Sequence, residues 1–454
     1  MVMKRFFTQY LYDWKLRKKK KPLIVRGARQ VGKTYVIEEF GNKNFAQVIK
    51  VNFEETPDLK RFFTTNNVIQ IIQDLELYFG KKITLSDTLL FLDEIQMCPE
   101  AIVSLRYFYE KMPDLHIIAA GSLLDHTLND LQYSMPVGRV EFAYMYPMCF
   151  YEFLIAAGEK QLVDFLNNFT LQQKISSPIH QKLMKLVRLY FFIGGMPEAV
   201  AAYIESKSLI DVERIHESII KSLEFDFAKY STRSQQITMT KLLNFIPRVC
   251  GQKFKYVNFS NSIRSEAIRK SLDLLRMSRL VHLVKNTKAT SVPLEHEITD
   301  RVFKTIFFDI GLSNHILKLR LSDIGVMGLN NEGGLAEQFV GQELLCQPPY
   351  FIENNIYYWT REKRNAAAEI DYVVQKGNRI IPIEVKAGKT GTLKSLQIFV
   401  AEKNLNKAIR INADLPSIVQ VKTSIKLEKG MKEVNFKLIS LPFYLVNEFG
   451  RFLN

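Results

Sequence analysis

The feature that most constrains this chain is a glycine-rich stretch near its start, Gly27-Ala28-Arg29-Gln30-Val31-Gly32-Lys33-Thr34. Its spacing, G-x-x-x-x-G-K-T, is that of a phosphate-binding loop. The apolar run Leu23–Val25 precedes it and a segment with helical character, Tyr35–Phe40, follows, as the motif requires. The glycines let successive backbone N–H groups turn toward phosphate oxygens at a helix N-terminus. We therefore predict that residues 27–34 bind the phosphates of a nucleotide.

A second motif indicates hydrolysis as well as binding. The apolar run Thr88–Leu92 ends in Asp93 and Glu94, which predicts a buried parallel strand with carboxylates at its C-terminal edge. In a loop of this kind Lys33 reaches the β- and γ-phosphates and the Thr34 hydroxyl ligates Mg²⁺. We expect Asp93 to hold the same Mg²⁺ through water and Glu94 to orient or deprotonate the attacking water. The predicted cofactors are ATP and Mg²⁺.

A further apolar run, Leu115–Ala120, is followed by Gly121 and Ser122. Ser122 is placed to sense the γ-phosphate or the attacking water, and it is equally a small residue that ends a strand. The first 150 residues alternate such runs with amphipathic segments, which is typical of a doubly wound parallel sheet. The candidate strands are Leu23–Val25, Gln47–Asn52, Thr88–Leu92 and His116–Ala120.

Composition narrows the class of protein. A chain of 454 residues with 47% hydrophobic and 24% charged residues is long enough for several globular domains. A net charge of +15 favours anionic partners, chiefly nucleic acid. The basic run Lys15–Lys21 has two interpretations, a contact with a phosphate backbone or a solvated helix end before Pro22.

Other features bear on location and cofactors. The N-terminus lacks the apolar core of a signal peptide, and no run approaches the roughly 18 apolar residues of a membrane span. The cysteines are scattered without a C-x-x-C pair, which predicts neither a zinc site nor a disulfide framework and fits a reducing cytoplasm; they are Cys98, Cys149, Cys250 and Cys346. We expect a cytoplasmic protein without a membrane partner.

The middle of the chain changes character. Residues 150–205 have a helical pattern interrupted at Gly194–Pro197, which we interpret as a helical lid. Two helical stretches and two short strand candidates then suggest a winged-helix module: Thr238–Val249, Arg264–Met277, Leu280–Val284 and Val302–Phe308. The second of these helices carries basic residues, as a recognition helix does, although winged helices also pack against partner domains.

The last block contains a second acidic constellation. A helix is predicted over Gly333–Leu345, followed by strand segments 368–374 and 380–386 joined at the turn Lys376–Asn378. Residues two apart on a strand face the same side, so the hairpin brings together acidic side chains and a lysine: Glu369, Asp371, Glu384 and Lys386, with Glu337 from the helix. Carboxylates that hold Mg²⁺ beside a lysine suit phosphodiester hydrolysis. An active metal nuclease and an inactive nuclease-like fold both stay open.

In combination these motifs give a resemblance to a known family. The chain resembles the bacterial and archaeal AAA-type ATPases that carry a C-terminal DUF4143 region, on residues Gly27–Thr34, Asp93–Gln96, Gly121–Ser122, Gly138–Arg139, Pro147–Leu154, Gly194–Pro197, Phe308–Leu312, Glu369–Asp371 and Pro382–Lys386.

The resemblance implies an α/β protein: a P-loop NTPase parallel sheet with a helical lid over 1–205, a winged-helix middle domain over 206–325 and a restriction-endonuclease-like domain of the PD-(D/E)xK type over 326–454. Asp371, Glu384 and Lys386 match the signature of that domain, and Glu337 matches its helical acid. Such ATPases usually complete the site with an arginine, for which Arg139 is the candidate and Arg106 the second choice. If the arginine comes from a neighbouring subunit, the active form is a homo-oligomer.

Three functions are compatible with these motifs. The first is an ATPase whose ATP cycle drives a change in the winged-helix and nuclease-like domains on DNA. The second is a nucleotide-dependent switch whose C-terminal domains bind a protein partner and do not cleave nucleic acid. A slow ATP-bound scaffold without a productive cycle is a third.

Overall fold

The computed structural model describes residues 3–122, 124, 138–319, 333–361, 367–387, 393–427 and 430–453. The predicted sites Gly27–Thr34, Asp93, Glu94 and Ser122 lie within these ranges, as do the acidic residues of the C-terminal block. The strands are β1 Leu23–Arg26, β2 Gln47–Asn52, β3 Thr88–Asp93, β4 His116–Gly121, β5 Glu141–Tyr144, β6 Val281–Thr287, β7 Ile298–Phe307, β8 Ile356–Arg361, β9 Ala368–Lys376, β10 Arg379–Val385, β11 Lys407–Asn412, β12 Ser417–Leu427 and β13 Gly430–Pro442.

The α-helices of the described residues are α1 Phe7–Lys15, α2 Lys33–Asn44, α3 Val68–Phe79, α4 Pro99–Lys111, α5 Phe150–Ala156, α6 Lys160–Asn168, α7 Ser177–Ile193, α8 Pro197–Ser206, α9 Leu209–Asp226, α10 Arg233–Phe245, α11 Tyr256–Phe259, α12 Ser265–Met277, α13 Ile310–Leu317, α14 Gly333–Leu345 and α15 Lys394–Lys403. A longer 3₁₀ segment, Phe443–Leu453, ends the described chain.

The chain divides into two compact units. The first comprises residues 1–147, 273–280 and 348–353, and the second comprises 148–272, 281–347 and 354–454. Each is described by itself below.

The first unit is built on a five-stranded sheet in the order β2-β3-β4-β1-β5, with every neighbouring pair parallel. All four strands predicted for this block occur, and β5 is an additional strand that the sequence did not suggest. β3 and β4 are buried along their whole length, as expected for central strands of a parallel sheet covered on both faces. Because the strands are parallel, β1, β3 and β4 end at the same edge, which brings the phosphate-binding loop beside Asp93 and Ser122.

The second unit is built on an eight-stranded mixed sheet in the order β12-β13-β11-β10-β9-β8-β6-β7. The predicted hairpin of the last block is present as β9 and β10, which pair antiparallel with Arg379 opposite Lys376. Gly377 in the connecting turn has a φ of 57°, a conformation that favours glycine. The hydrophobic core under this sheet includes Trp359 and Phe399, whose rings meet edge to face.

The predicted domain boundaries differ from this arrangement at two places. The helices of 150–205 group with the second unit, not with the five-stranded sheet of the first. The reason is long-range packing, since Tyr190 of α7 meets Phe339 of α14 at a ring distance of 5.9 Å and Phe191 meets Phe443 at 6.2 Å. The buried Glu343 of α14 also accepts a hydrogen bond from the Phe150 N–H at 2.9 Å.

The second difference concerns the predicted winged-helix module. Its helices and its antiparallel strand pair occur in the predicted order, as α10, α12, β6 and β7. The strand pair is not separate, however, because β6 also pairs with β8 and so extends the C-terminal sheet. A boundary at 325/326 would therefore cut one continuous sheet.

The break at Gly194–Pro197 is fixed by a buried aspartate. Asp309, at the N-cap of α13, accepts hydrogen bonds from the N–H groups of Gly195 at 2.6 Å and Leu312 at 3.0 Å. Gly194 has a φ of 73°, and a Cβ there would lie 2.2 Å from Asp309 Oδ1. The Gly194–Pro197 break and the segment around Asp309 therefore pack directly against each other.

Among the described residues, no helix combines the length and apolar character needed to cross a membrane.

Candidate functional site

The loop between β1 and α2 has the backbone that phosphate binding needs. Gly32 has a φ of 91° and Gln30 a φ of 64°, so the chain passes twice through the left-handed region. A Cβ on Gly27 would lie 2.3 Å from the Met145 carbonyl oxygen, which leaves no room for a side chain. Glycine at 27 and 32 is thus required by close approach and by conformation respectively.

Lys33 begins α2 and is only 7% exposed. Its Nζ donates to the carbonyl oxygens of Gly27 at 3.0 Å and Ala28 at 2.8 Å, so the ammonium lies within the curve of the loop. Burial lowers the pKa of Lys33 to about 8, against the opposing influence of Glu94 and Asp93 and with a further lowering from Arg29 and Arg279. A bound phosphate would supply the counter-charge that this ammonium lacks.

Thr34 and Asp93 meet where a magnesium ion is expected. The Thr34 hydroxyl lies 3.2 Å from Asp93 Oδ1 and 3.1 Å from Oδ2. Burial and the neighbouring Glu94 raise the pKa of Asp93, while Lys50, 3.7 Å from Oδ2, partly offsets them. A hydroxyl and a buried carboxylate are hard oxygen donors, and they fit Mg²⁺ held partly through water.

Glu94 directly follows β3 with a φ of 50°. Gln96 Nε2 donates a hydrogen bond to Glu94 Oε2, and Gln96 Oε1 is buried without a hydrogen-bond partner. A Cβ on Gly121 would lie 2.2 Å from Gln96 Oε1, so the glycine at the end of β4 makes room for this amide. Gln96 therefore orients the carboxylate predicted to act on water. Ser122, 6% exposed, follows at the same edge, and both interpretations of its role stay open.

Two arginines of the first unit were not predicted from the sequence. Arg5 is 5% exposed and donates to the carbonyl oxygens of Val31 at 2.8 Å and Tyr146 at 2.6 Å. These hydrogen bonds connect the Gly27–Thr34 loop to the segment that follows β5. Arg279 pairs with Glu353 at 3.0 Å and stacks 4.8 Å from the Tyr144 ring centroid, and its charge reaches Lys33. Neither residue belongs to a motif, so the sequence offered no signal for them.

Arg139, the arginine predicted to complete the ATP site, is on the surface. Its Nε lies 3.0 Å from Glu110 Oε1, which also pairs with Arg106 Nε at 3.2 Å. Its side chain is 44% exposed, so it is accessible to a neighbouring subunit. A role for Arg139 in catalysis stays a prediction.

The basic run before β1 is partly engaged within the first unit. Lys15 Nζ lies 4.4 Å from the centre of the Phe45 ring, and Arg17 pairs with Glu141 at 2.6 Å. These contacts favour a structural role for these two residues over a contact with a phosphate backbone.

The second unit brings the predicted acids together at the β9–β10 hairpin. Asp371 Oδ2 accepts the Val385 N–H at 2.7 Å, and Lys386 pairs with Glu384 Oε1. Glu337, on α14, lies beside a residue that was not predicted, Lys304 of β7, at 3.2 Å. Glu384 Oε2 is buried without a hydrogen-bond partner. Burial raises the pKa of Glu337 and of Glu384, with Asp371 as the next cause in both.

This cluster holds an extra cation. Lys304 Nζ also lies 2.6 Å from Glu369 Oε1 and 3.9 Å from Asp371 Oδ1. Within the described ranges, no three acidic, histidine or cysteine side chains are arranged to hold a metal ion directly. Metal binding by Glu337, Asp371 and Glu384, and a nuclease role for them with Lys386, therefore stay predictions.

Three family models match successive parts of the chain. Residues 19–154 match an AAA domain, residues 184–323 match a domain of unknown function, DUF8612, and residues 332–444 match another, DUF4143. No curated protein matches the chain in sequence.

Several solved structures resemble the chain at low sequence identity. The Aeropyrum pernix ORC2 protein with ADPNP and ADP is 11% identical, covering 71% of this chain and 94% of its own, with a TM-score of 0.41. The Aeropyrum pernix ORC1 protein in complex with DNA is 11% identical over 68% and 91%, with a TM-score of 0.30. AMPPCP-bound DnaA from Aquifex aeolicus is 12% identical over 61% and 90%, with a TM-score of 0.25. Scores this low carry no argument about function. The domain matches support an AAA-type ATPase with a C-terminal DUF4143 domain.

Proposed function

We propose that the chain binds ATP at the Gly27–Thr34 loop and hydrolyses it with Mg²⁺. The observation that carries the proposal is the meeting of the Thr34 hydroxyl and the Asp93 carboxylate at 3.1–3.2 Å, beside a lysine held within the loop. A bound Mg²⁺ would neutralise charge that develops on the phosphates. It would be held by Thr34 directly and by Asp93 through water.

The remaining chemistry falls to residues of this chain. Backbone N–H groups of the loop and the N-terminus of α2 bind phosphate oxygens. Lys33 turns its ammonium from the carbonyls of Gly27 and Ala28 to the β- and γ-phosphates. Glu94, oriented by Gln96, positions the attacking water and accepts its proton. An arginine would complete the site, with Arg139 proposed from a neighbouring subunit of a homo-oligomer.

We further propose that ATP turnover is coupled to action on DNA through the winged-helix-like and nuclease-like segments. The support is the net charge of +15 and the acidic cluster at the β9–β10 hairpin. Lysines and arginines that neutralise phosphates release counterions, so binding of this kind weakens as salt rises.

The alternative is a nucleotide-dependent switch that binds a protein partner and cleaves no nucleic acid. One observation favours it: Lys304 already pairs with two of the acids predicted to hold a metal ion, Glu337 and Asp371, and with the neighbouring Glu369. Under this alternative the acidic cluster is a structural element of the second unit.

The experiment is the rate of ATP hydrolysis with and without DNA at low salt, with Lys33→Ala as the blank. The proposal predicts magnesium-dependent hydrolysis that DNA stimulates and that salt suppresses. Normal basal hydrolysis without stimulation supports the protein switch. Hydrolysis at the wild-type rate in Lys33→Ala contradicts the assigned site.

The nuclease component has its own assay. Metal-dependent cleavage of DNA that is lost in both Asp371→Ala and Glu384→Ala would support it. Cleavage that persists in both variants would assign the activity to a contaminant or to another site.

A further inference from the structure

Lys304 occupies the middle of the acidic cluster in the second unit. Its Nζ lies 2.6 Å from Glu369 Oε1, 3.2 Å from Glu337 Oε2 and 3.9 Å from Asp371 Oδ1. The lysine side chain is 2% exposed, and its ammonium lies 5.3 Å from the centre of the Tyr358 ring. Its charge is therefore removed from water almost completely and balanced by carboxylates.

The fold delivers this lysine from a different segment of the chain than the acids. Lys304 is on β7 and lies opposite Val284 of β6, which in turn is paired with Ile356 of β8. Lys304 thus comes from the part matched by the DUF8612 model, whereas the acids come from the part matched by the DUF4143 model. The complete cluster exists only when both segments share one sheet.

A buried lysine without partners would lose its proton, because burial disfavours the charged form. Here three carboxylate groups lie within 4 Å of the Lys304 Nζ, and they favour the charged form. The ammonium is therefore charged at neutral pH. Without it, Glu337, Glu369 and Asp371 would lose their most deeply buried counter-charge, since Lys253 and Lys386 nearby are 24% and 29% exposed.

The packing around Glu337 also fixes one acid in place. A Cβ on Gly251 would lie 2.8 Å from Glu337 Cδ, Oε1 and Oε2, and Gly251 has a φ of 76°. The Tyr372 hydroxyl donates to the backbone carbonyl of Glu337 at 2.7 Å. Glu337 is therefore held against Lys304 by its surroundings.

We propose that the Lys304 ammonium is the resident cation of this cluster: it takes the place of a divalent metal ion, so that the cluster folds without metal and binds divalent cations weakly. On the β9–β10 hairpin, Glu384 pairs with Lys386, and its Oε2 is buried without a hydrogen-bond partner. This inference concerns the cluster alone and does not depend on ATP hydrolysis.

The test uses the full chain without nucleotide and Mn²⁺ as the probe. We compare the wild type with Lys304→Met, which keeps most of the length of the side chain and removes its charge. Free Mn²⁺ is counted by electron paramagnetic resonance, with Asp371→Asn as the blank for other sites. We expect Lys304→Met to bind Mn²⁺ at least about tenfold more tightly than the wild type, because a positive charge next to the metal has been removed.

Thermal unfolding gives a second readout. In EDTA, Lys304→Met is expected to melt at least about 5 °C below the wild type. Mn²⁺ should restore most of that loss, and NaCl at equal ionic strength should not. Lys304→Met/Glu337→Gln, which removes one charge of each sign, should melt closer to the wild type in EDTA than the single variant does.

Lys253→Met is the matched control. Lys253 also approaches Glu369, at 4.0 Å, but its side chain is 24% exposed, so both effects should be much smaller. The proposal is overturned if Lys304→Met binds Mn²⁺ within twofold of the wild type and is not stabilised by it. If Lys304→Met does not fold, folding of the charge-balanced double variant, or of the single variant in Mn²⁺, supports the proposal, and failure of both overturns it.

Discussion

Lys33 is the residue whose charge should control ATP binding at the Gly27–Thr34 loop. Its ammonium is buried among the loop carbonyls of Gly27 and Ala28, and burial lowers its pKa to about 8. The charged form, which we propose binds phosphate, is therefore less favoured in the nucleotide-free protein than in an exposed lysine.

The first prediction concerns the pH dependence of ATP affinity. ATP binding favours the protonated form of Lys33, so affinity should be constant below about pH 8 and should fall as pH rises through that value, by up to tenfold per unit. The stability of the nucleotide-free protein should change in the opposite direction. Burying the charged form of Lys33 costs free energy of folding below about pH 8, and this cost is relieved as pH rises from about 8 to 10.5, so the free energy of unfolding should increase over that range. Calorimetric titration between pH 7.5 and 9.5 checks the affinity. An ATP affinity that does not change over this pH range would contradict the proposal that charged Lys33 binds the phosphates.

The second prediction concerns Gln96, which positions Glu94 and touches no phosphate in the proposed mechanism. Gln96→Leu removes the hydrogen bond to Glu94 Oε2 and should lower kcat about tenfold, while the Kd for ATP stays within about twofold. Stopped-flow binding and steady-state hydrolysis separate the two quantities. If the affinity for ATP fell by as much as kcat, Gln96 would support the whole Gly27–Thr34 loop and not the Glu94 carboxylate in particular.

At the scale of elements, the phosphate-binding loop depends on contacts beyond its own motif. Arg5, just before α1, bonds to the carbonyls of Val31 and Tyr146 and so ties the loop to the segment after β5. The motif itself could be predicted because its glycines and lysine act within eight consecutive residues. The brace could not be predicted, since nothing local distinguishes Arg5 from Lys4.

That difference gives the third prediction. Arg5→Met should weaken ATP binding about tenfold, because the buried carbonyl of Val31 loses a charged donor and the loop loses its support. Lys4→Met, the same kind of change on an exposed neighbour, is the control and should leave affinity within twofold. Fluorescent-nucleotide titration measures both. Equal affinities in the two variants would show that the brace does not matter.

The strands of the first sheet illustrate the same limit. Four were predicted from signals carried by consecutive residues. β1, β3 and β4 contain buried apolar runs, whereas in β2 apolar residues are interspersed with polar ones. β5 was missed because Glu141–Tyr144 is short and has polar and aromatic residues without such a run. Its position beside β1 is set by pairing across more than a hundred residues of sequence.

At the scale of the whole molecule, most helices and strands could be predicted from the sequence. Their grouping into two compact units could not. The helices after residue 150 join the second unit through contacts such as Tyr190 with Phe339, which no local pattern reveals. The strands β6 and β7 were predicted correctly as a pair, yet they extend the C-terminal sheet. The same pairing brings Lys304 into the acidic cluster, so the residue that most changes the interpretation of that cluster was also the one without a sequence signal.

The acids of the cluster were predictable because the hairpin obeys the two-residue alternation of a strand. Their chemistry was not, because it depends on what the neighbouring strand contributes. No acidic residue that pairs with Lys304 lies near it in the sequence. Its partners Glu337, Glu369 and Asp371 are brought to it only by the fold.

ATP binding and ATP hydrolysis by Glu94→Gln, measured side by side with the wild type, would separate nucleotide binding from the proposed action on water. We expect the variant to bind ATP within about threefold of the wild type and to hydrolyse it at least about 100-fold more slowly, because the amide fills the same space but cannot accept a proton. Hydrolysis within about twofold of the wild type would contradict the proposal that Glu94, at the edge of this sheet, acts on the attacking water.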